Sequence, residues 1–174
     1  MSGFDAIYKQ TVTMFNRITA DNDDDFFIPT VLEGVHLVID HSNTWNSYGG
    51  QQADNVRLHV RYTPSGSVAM VGNKRYYEPK EWRGLTSFDD CITFRYGSDN
   101  DFDFFVKGVY VPEFGSISNR IMIGGNLVSG TFIVDDFYER HGFYNHLNKM
   151  YDHVFAITTV SQYNLLPHFE IMAR

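Results

Sequence analysis

The chain has 174 residues, a formal net charge of −7, 43% apolar residues and 20% charged ones. That length fits one domain with a sizeable core, and the acidic balance argues against a surface built to grip nucleic acid. A single cysteine, Cys91, excludes an intrachain disulfide and fits a reducing cytoplasm. No stretch approaches the roughly 20 apolar residues of a membrane-spanning helix, and MSGFDAIYKQ lacks the apolar core of a signal peptide.

The unusual number is the aromatic content, with 15 Phe, 11 Tyr and 2 Trp. Such residues favour strands and interfaces, so a β-rich core, a self-association surface and a sugar-binding face all account for it.

Strand patterns dominate in chain order. KQTVTMFNRI (9–18) alternates weakly, and TVLEGVHLVID (30–40) is a longer β-branched run in which Gly34 marks a bulge. In NVRLHVRY (55–62), Val56, Leu58, Val60 and Tyr62 alternate with Asn55, Arg57, His59 and Arg61, which predicts one apolar and one basic face. NKRYYEPKEWRGL (73–85) joins a short strand to a helix over 79–85, because proline fits the first helical turn. CITFRY (91–96), DFFVKGVYV (103–111), HVFAITTV (153–160) and HFEIMA (168–173) read as further strands. NRIMIGGNLVSGTFIVDD (119–136) reads as a hairpin turning at Gly124-Gly125. A second helix is expected over 140–151, with Phe143, Leu147, Met150 and Tyr151 on one face. Polar loops fall at 19–27, 41–54 and 63–73. The fold expected is mainly β: one domain over 1–174, a small antiparallel β-barrel or sandwich with one or two short helices and an added hairpin.

Spaced catalytic and ligand motifs fail when tested. DNDDD (21–25) and DNDFD (99–103) space aspartates like a calcium loop, but the sixth and twelfth positions hold Phe26 and Leu32 in one and Phe104 and Tyr110 in the other. They read as solvated acidic loops. His36 and His41 are five apart, on opposite faces of a strand, and His141 and His146 miss the i, i+4 spacing of a helical zinc pair. Cys91 opens an apolar strand and reads as a small hydrophobe. There is no serine elbow, phosphate loop or dinucleotide fingerprint. The expectation is a non-enzyme without metal or cofactor.

Several stretches follow one another in an order that carries more weight than any one of them. These are MFNR (14–17), VLEGVHL (31–37), DNVRLHVRY (54–62), YYEPKEWRGL (76–85), FVKG (105–108), YDHVFAITTV (151–160) and PHFEI (167–171). Together they resemble a poorly characterised family of head–tail joining proteins of tailed phages, the stopper-like components of the neck. Tyr77, Pro79, Trp82, Tyr151 and Asp152 stand at the positions that match that family's motifs. His153 stands where the family has an aspartate, and residues 112–136 look like an inserted hairpin relative to shorter relatives.

The resemblance implies a virion protein made in the bacterial host cytoplasm. It would form a six- or twelvefold homo-oligomeric ring in the neck, with a portal or adaptor ring above and a tail terminator or tail tube below. Packaged DNA would pass its channel without sequence-specific binding, and no membrane is involved. It also implies that the strand at 73–77 is an edge strand of the barrel and that the helix at 79–85 caps one opening, with Trp82 and Leu85 inward. Trp45 and Tyr48 in the loop at 41–54, and Ile121, Met122 and Ile123 on the hairpin, are the candidate contact residues. The alternatives are another minor capsid or tail-end structural protein, or a non-catalytic carbohydrate-binding sandwich.

Overall fold

The computed structural model describes residues 6–40, 56–97 and 101–174. Along the chain come β1 (Gln10–Thr19), β2 (Asp25–Ile39), β3 (Val56–Arg61), β4 (Thr63–Ser65), β5 (Val68–Val71), β6 (Lys74–Tyr76), α1 (Pro79–Trp82), β7 (Cys91–Ile92) and β8 (Phe104–Lys107). They are followed by β9 (Ile117–Ile123), β10 (Asn126–Val134), a 3-10 segment (Asp135–His141), α2 (Gly142–Met150), β11 (Val154–Tyr163) and β12 (His168–Ala173). Six strands close an antiparallel barrel in the order β1-β8-β11-β12-β3-β2, with β2 returning to β1. The β9–β10 hairpin continues outward from β2, and β4-β5-β6-β7 form a second small sheet.

β2 belongs to both parts. Its first residues, Phe26 and Phe27, pair with β10, while His36 to Ile39 pair with β3. Between them lies the bulge that the sequence marks. Pairing with β1 jumps from Thr11–Glu33 to Gln10–Val35, leaving Gly34 unpaired at φ +64. Glycine carries no Cβ penalty in that left-handed conformation. The extra residue also resets the two-residue alternation, so Leu32 faces the barrel core before the bulge and Val35 and Leu37 face it afterwards.

Three apolar layers hold the fold. Inside the barrel, Val12, Met14, Leu58, Val60, Phe105, Phe155 and Ile171 meet Ala69, Val71 and Phe94 from the small sheet and the segment that follows it. The small sheet therefore closes one mouth of the barrel. Tyr76 reaches in to 4.5 Å from the Phe169 ring, and Phe94 stacks beside it at 5.6 Å. On the outer side, α2 lays Phe143 and Leu147 over Phe15, Phe27 and Phe104. At the far end, Trp82, Phe88, Ile121 and Phe132 cover Ile18, Phe26 and Ile28. Buried aromatic rings occur in all three layers, with ring pairs in offset and edge contacts.

Several expectations need correction. The strand at 73–77 is not a barrel edge; β6 lies inside the small sheet, antiparallel to β5 and parallel to β7. Its last amide partner is supplied across the gap, Tyr77 donating to the Ile92 carbonyl at 2.9 Å. The expected loop at 63–73 is the β4–β5 hairpin and the turn after it, and the loop at 19–27 is shorter because β2 starts at Asp25. CITFRY forms only two paired residues, because the inner face beyond Ile92 is used by a polar network instead of a ladder. The second helix begins at Gly142, behind the 3-10 segment, where the Asp135 carboxylate accepts the Phe143 amide at 2.8 Å. Its face is narrower than expected: Phe143 and Leu147 are buried, but Met150 and Tyr151 are exposed.

Leu147 is fully enclosed among aromatic rings that relax poorly. Leu147→Ala is expected to lower unfolding free energy by about 2–5 kcal/mol. Chemical denaturation with an unchanged slope measures it, and a loss under about 0.5 kcal/mol would show that α2 is not packed on the barrel.

Candidate functional site

Three features outside the apolar layers have chemistry of their own. The first is a buried carboxylate. Asp103 is completely enclosed at the start of β8. Its Oδ2 accepts from Asn16 Nδ2 at 2.9 Å and from the Arg95 amide at 2.9 Å, and its Oδ1 accepts from the Arg17 amide at 3.0 Å and from Arg95 Nη2 at 3.1 Å. Burial pushes this carboxyl up from its ordinary value, and the Arg95 guanidinium opposes the rise. Arg95 in turn donates to the Arg17 carbonyl and to Asp101. Asn16 donates again to the Thr93 carbonyl at 2.7 Å, so one network ties β1, β8 and the chain after β7.

Beside this network lies a cleft of about 390 Å³ between Trp82, Leu85, Ile18 and the three guanidiniums of Arg17, Arg83 and Arg95. Those charges are already spoken for: Arg17 pairs with Asp25, Arg83 with Asp101, and Arg95 with Asp101 and Asp103. At Asp25, burial raises the carboxyl, but the hydrogen bonds from Arg17 and Thr19 outweigh it and bring it below its ordinary value. The cleft is therefore electrically balanced from within.

The second feature is the hairpin. Gly124 and Gly125 turn it with φ +58 and +78, the two positive angles of the tightest hairpin turn. Asp21 clasps that turn, its carboxylate accepting both glycine amides at 2.7 and 2.8 Å, while its own amide donates to the Met122 carbonyl. The acidic loop DNDDD thus fastens the hairpin. The two faces of the hairpin differ: the pair Ile121–Val128 is buried, whereas the pair Met122–Leu127 stands 43% and 57% exposed. Phe114, just before β9, is wholly exposed.

The third feature is a row of imidazoles on the outer face of β2, β3 and β12. His36 sits opposite His59, and His59 opposite Glu170. The His36 and His59 rings stack at 5.4 Å, His59 and His168 lie 5.5 Å apart, and Tyr163 stacks flat on His168 at 4.9 Å. Burial holds the His59 imidazole below its ordinary value, with Glu170 pulling the other way.

Of the candidate contact residues, Met122 is exposed, Ile123 is half-buried, and Ile121 is buried in the chain's own core, which withdraws its side chain from any contact. Trp45 and Tyr48 lie outside the described residues. Among the residues matching the phage-family motifs, Pro79 opens α1 and Trp82 is 2% exposed, turned inward as expected, with Leu85 half-buried beside it. Tyr77 lies under the Arg75 guanidinium, and Tyr151 and Asp152 are exposed before β11. Cys91 is half-buried, its thiol pushed up by burial. Spacing within one element does not reveal the gathering of His36, His59 and His168, because these meet across three strands. The signal available was parity: His59 lies on the basic face of its strand, and His168 alternates with Phe169 and Ile171.

A closed barrel with a capping sheet and a projecting hairpin is the architectural class. The chain belongs to DUF6751, a family of unknown function, whose family model matches residues 7–174. No curated protein matches the chain, and no solved structure matches it.

Removing the Asp103 charge leaves the Arg95 guanidinium, whose side chain is only 7% exposed, with only the half-exposed Asp101 carboxylate opposite it. Asp103→Asn is expected to cost about 3–5 kcal/mol in an unfolding titration, since breaking a buried pair from one side leaves a poorly compensated charge. A loss below about 1 kcal/mol would show that water replaces the carboxylate.

Proposed function

We propose that this chain is a structural virion protein of a tailed phage, a stopper-like head–tail connector subunit that assembles as a ring between portal or adaptor and tail. The observation that carries the reading is the exposed apolar pair Met122–Leu127 on the outer face of the β9–β10 hairpin. A closed barrel has no free edges, so it offers neighbours no strand to pair with. Here the hairpin extends β2 beyond the closure and ends in β9, an edge strand among the described residues. That edge carries Met122, with Leu127 as its cross-strand neighbour and Phe114 ahead of it. Apolar edge strands are where chains pair by strand addition. The hairpin is held rigid by Asp21, so a partner meets a prepared surface and little ordering entropy is lost on contact.

The order of the phage-like stretches supports the assignment to the neck, and the acidic balance suits a wall along which DNA slides without sticking. The remaining neighbours of the proposed ring are the portal or adaptor above and the tail terminator below. The competing placement, a minor capsid or tail-end component, uses the same hairpin contact elsewhere in the virion.

Negative-stain images and solution mass, with and without the portal ring of the same phage, test this. The expected result is a six- or twelvefold ring with a central hole. The double substitution Met122→Lys, Leu127→Glu is expected to leave the unfolding midpoint within experimental error and abolish the ring. A chain that stays monomeric beside the portal ring, and a monomer that captures glycans, are the results that overturn the proposal.

A further inference from the structure

We propose that His59, His168 and Glu170 form a binding site for a divalent transition-metal ion of the zinc type on the outer face of the barrel. The site shares no residue with the hairpin. One ligand atom from each of the three lies within 4.8 Å of the others, and His59 Nδ1 stands 4.0 Å from Glu170 Oε2. Ligands around a tetrahedral ion with bonds of roughly 2.0–2.2 Å stand about 3.3–3.6 Å from one another. Binding therefore draws the three atoms together by at most about 1.5 Å, which side-chain torsions absorb without moving the strands.

The backbone places them without any loop. His59 on β3 is the direct cross-strand partner of Glu170 on β12, and His168 is two residues from Glu170 on the same face of β12. Two contacts orient the imidazole of His168. Its Nδ1 lies 2.7 Å from the Leu166 carbonyl, which can only accept, so Nδ1 carries the proton and Nε2 keeps its lone pair for an ion. The Tyr163 ring, stacked at 4.9 Å and 10°, fixes the plane. A backbone carbonyl on the far nitrogen is the usual companion of a metal-bound histidine.

His36 is not a ligand in this arrangement. Its ring is stacked on that of His59 at 5.4 Å and 21°, so the in-plane lone pairs of the two rings lie in separated, nearly parallel planes and do not converge on one ion. It backs the His59 ring. Two imidazoles and one carboxylate suit zinc, copper, nickel or cobalt, and are too few oxygens for calcium or magnesium. Water completes the coordination on the solvent side. The consequence for the fold is a clamp between β3 and β12.

The test uses the full chain without an affinity tag, stripped with a chelator and titrated calorimetrically with zinc chloride. One ion per chain is expected, with binding weakened at least about 10–100-fold in His168→Ala and in Glu170→Gln, and unchanged in His36→Asn. The same titration of the wild-type chain, followed by imidazole nuclear magnetic resonance signals, is expected to shift His59 and His168, a readout that does not depend on any variant folding. No binding up to about 1 mM zinc, binding that survives His168→Ala in a folded variant, or equal affinity for calcium chloride would each overturn the proposal.

Discussion

A carboxylate without access to water must be answered from within the fold, and Asp103 obliges two separate segments to answer it. Asn16 comes from β1, Arg95 from the chain after β7, and the Arg17 amide from the residue next to Asn16. Leaving any one of these donors unmade would cost far more than a surface hydrogen bond returns. The network therefore fixes how the small sheet sits against the barrel, because the segment that delivers Arg95 also delivers Phe94 to the barrel core. Apolar packing alone tolerates many arrangements of similar volume, whereas a buried charge with four directed donors tolerates few.

From that fixed point the rest follows in layers. With 93–95 held against β1 and β8, the small sheet covers one mouth, and α1 swings Trp82 over the inner faces of β1 and β2 at the other end. β2 can then outrun the barrel, since Trp82, Phe88 and Phe132 cover the apolar residues it carries past the closure. The hairpin is what completes that cover, so one of its faces is committed to the fold and the other is left over.

The pattern of elements was largely legible in the sequence, because alternation with a buried face is a direct imprint of the pleat. NVRLHVRY, the Gly34 bulge and the Gly124-Gly125 turn all behave in the structure as their residues require. Where legibility ended, the cause was pairing between distant segments. Nothing local in RYYEPK says that its strand joins a small sheet parallel to Cys91-Ile92, and nothing in DFDFF says that Asp103 is enclosed while Asp101 is at the surface. The imidazole row fails for the same reason: its members come from residues 36, 59 and 168, and only the register of three strands brings them together. Asp21 is exposed, as its acidic stretch suggests, yet its carboxylate is also taken up by a turn more than a hundred residues later, which nothing local announces.

The barrel's bore is filled with side chains, Phe94, Phe105 and Phe169 among them. The barrel is in that sense a solid post and not a pipe. Any aperture in an assembly of such posts is set by how many stand in the circle and how far apart, and the number of strands in each post has no bearing on it. In the ring proposed above, adding or losing one copy would change the diameter of the opening while leaving every chain as it is, so the gauge of such a passage would be a property of the contacts between chains.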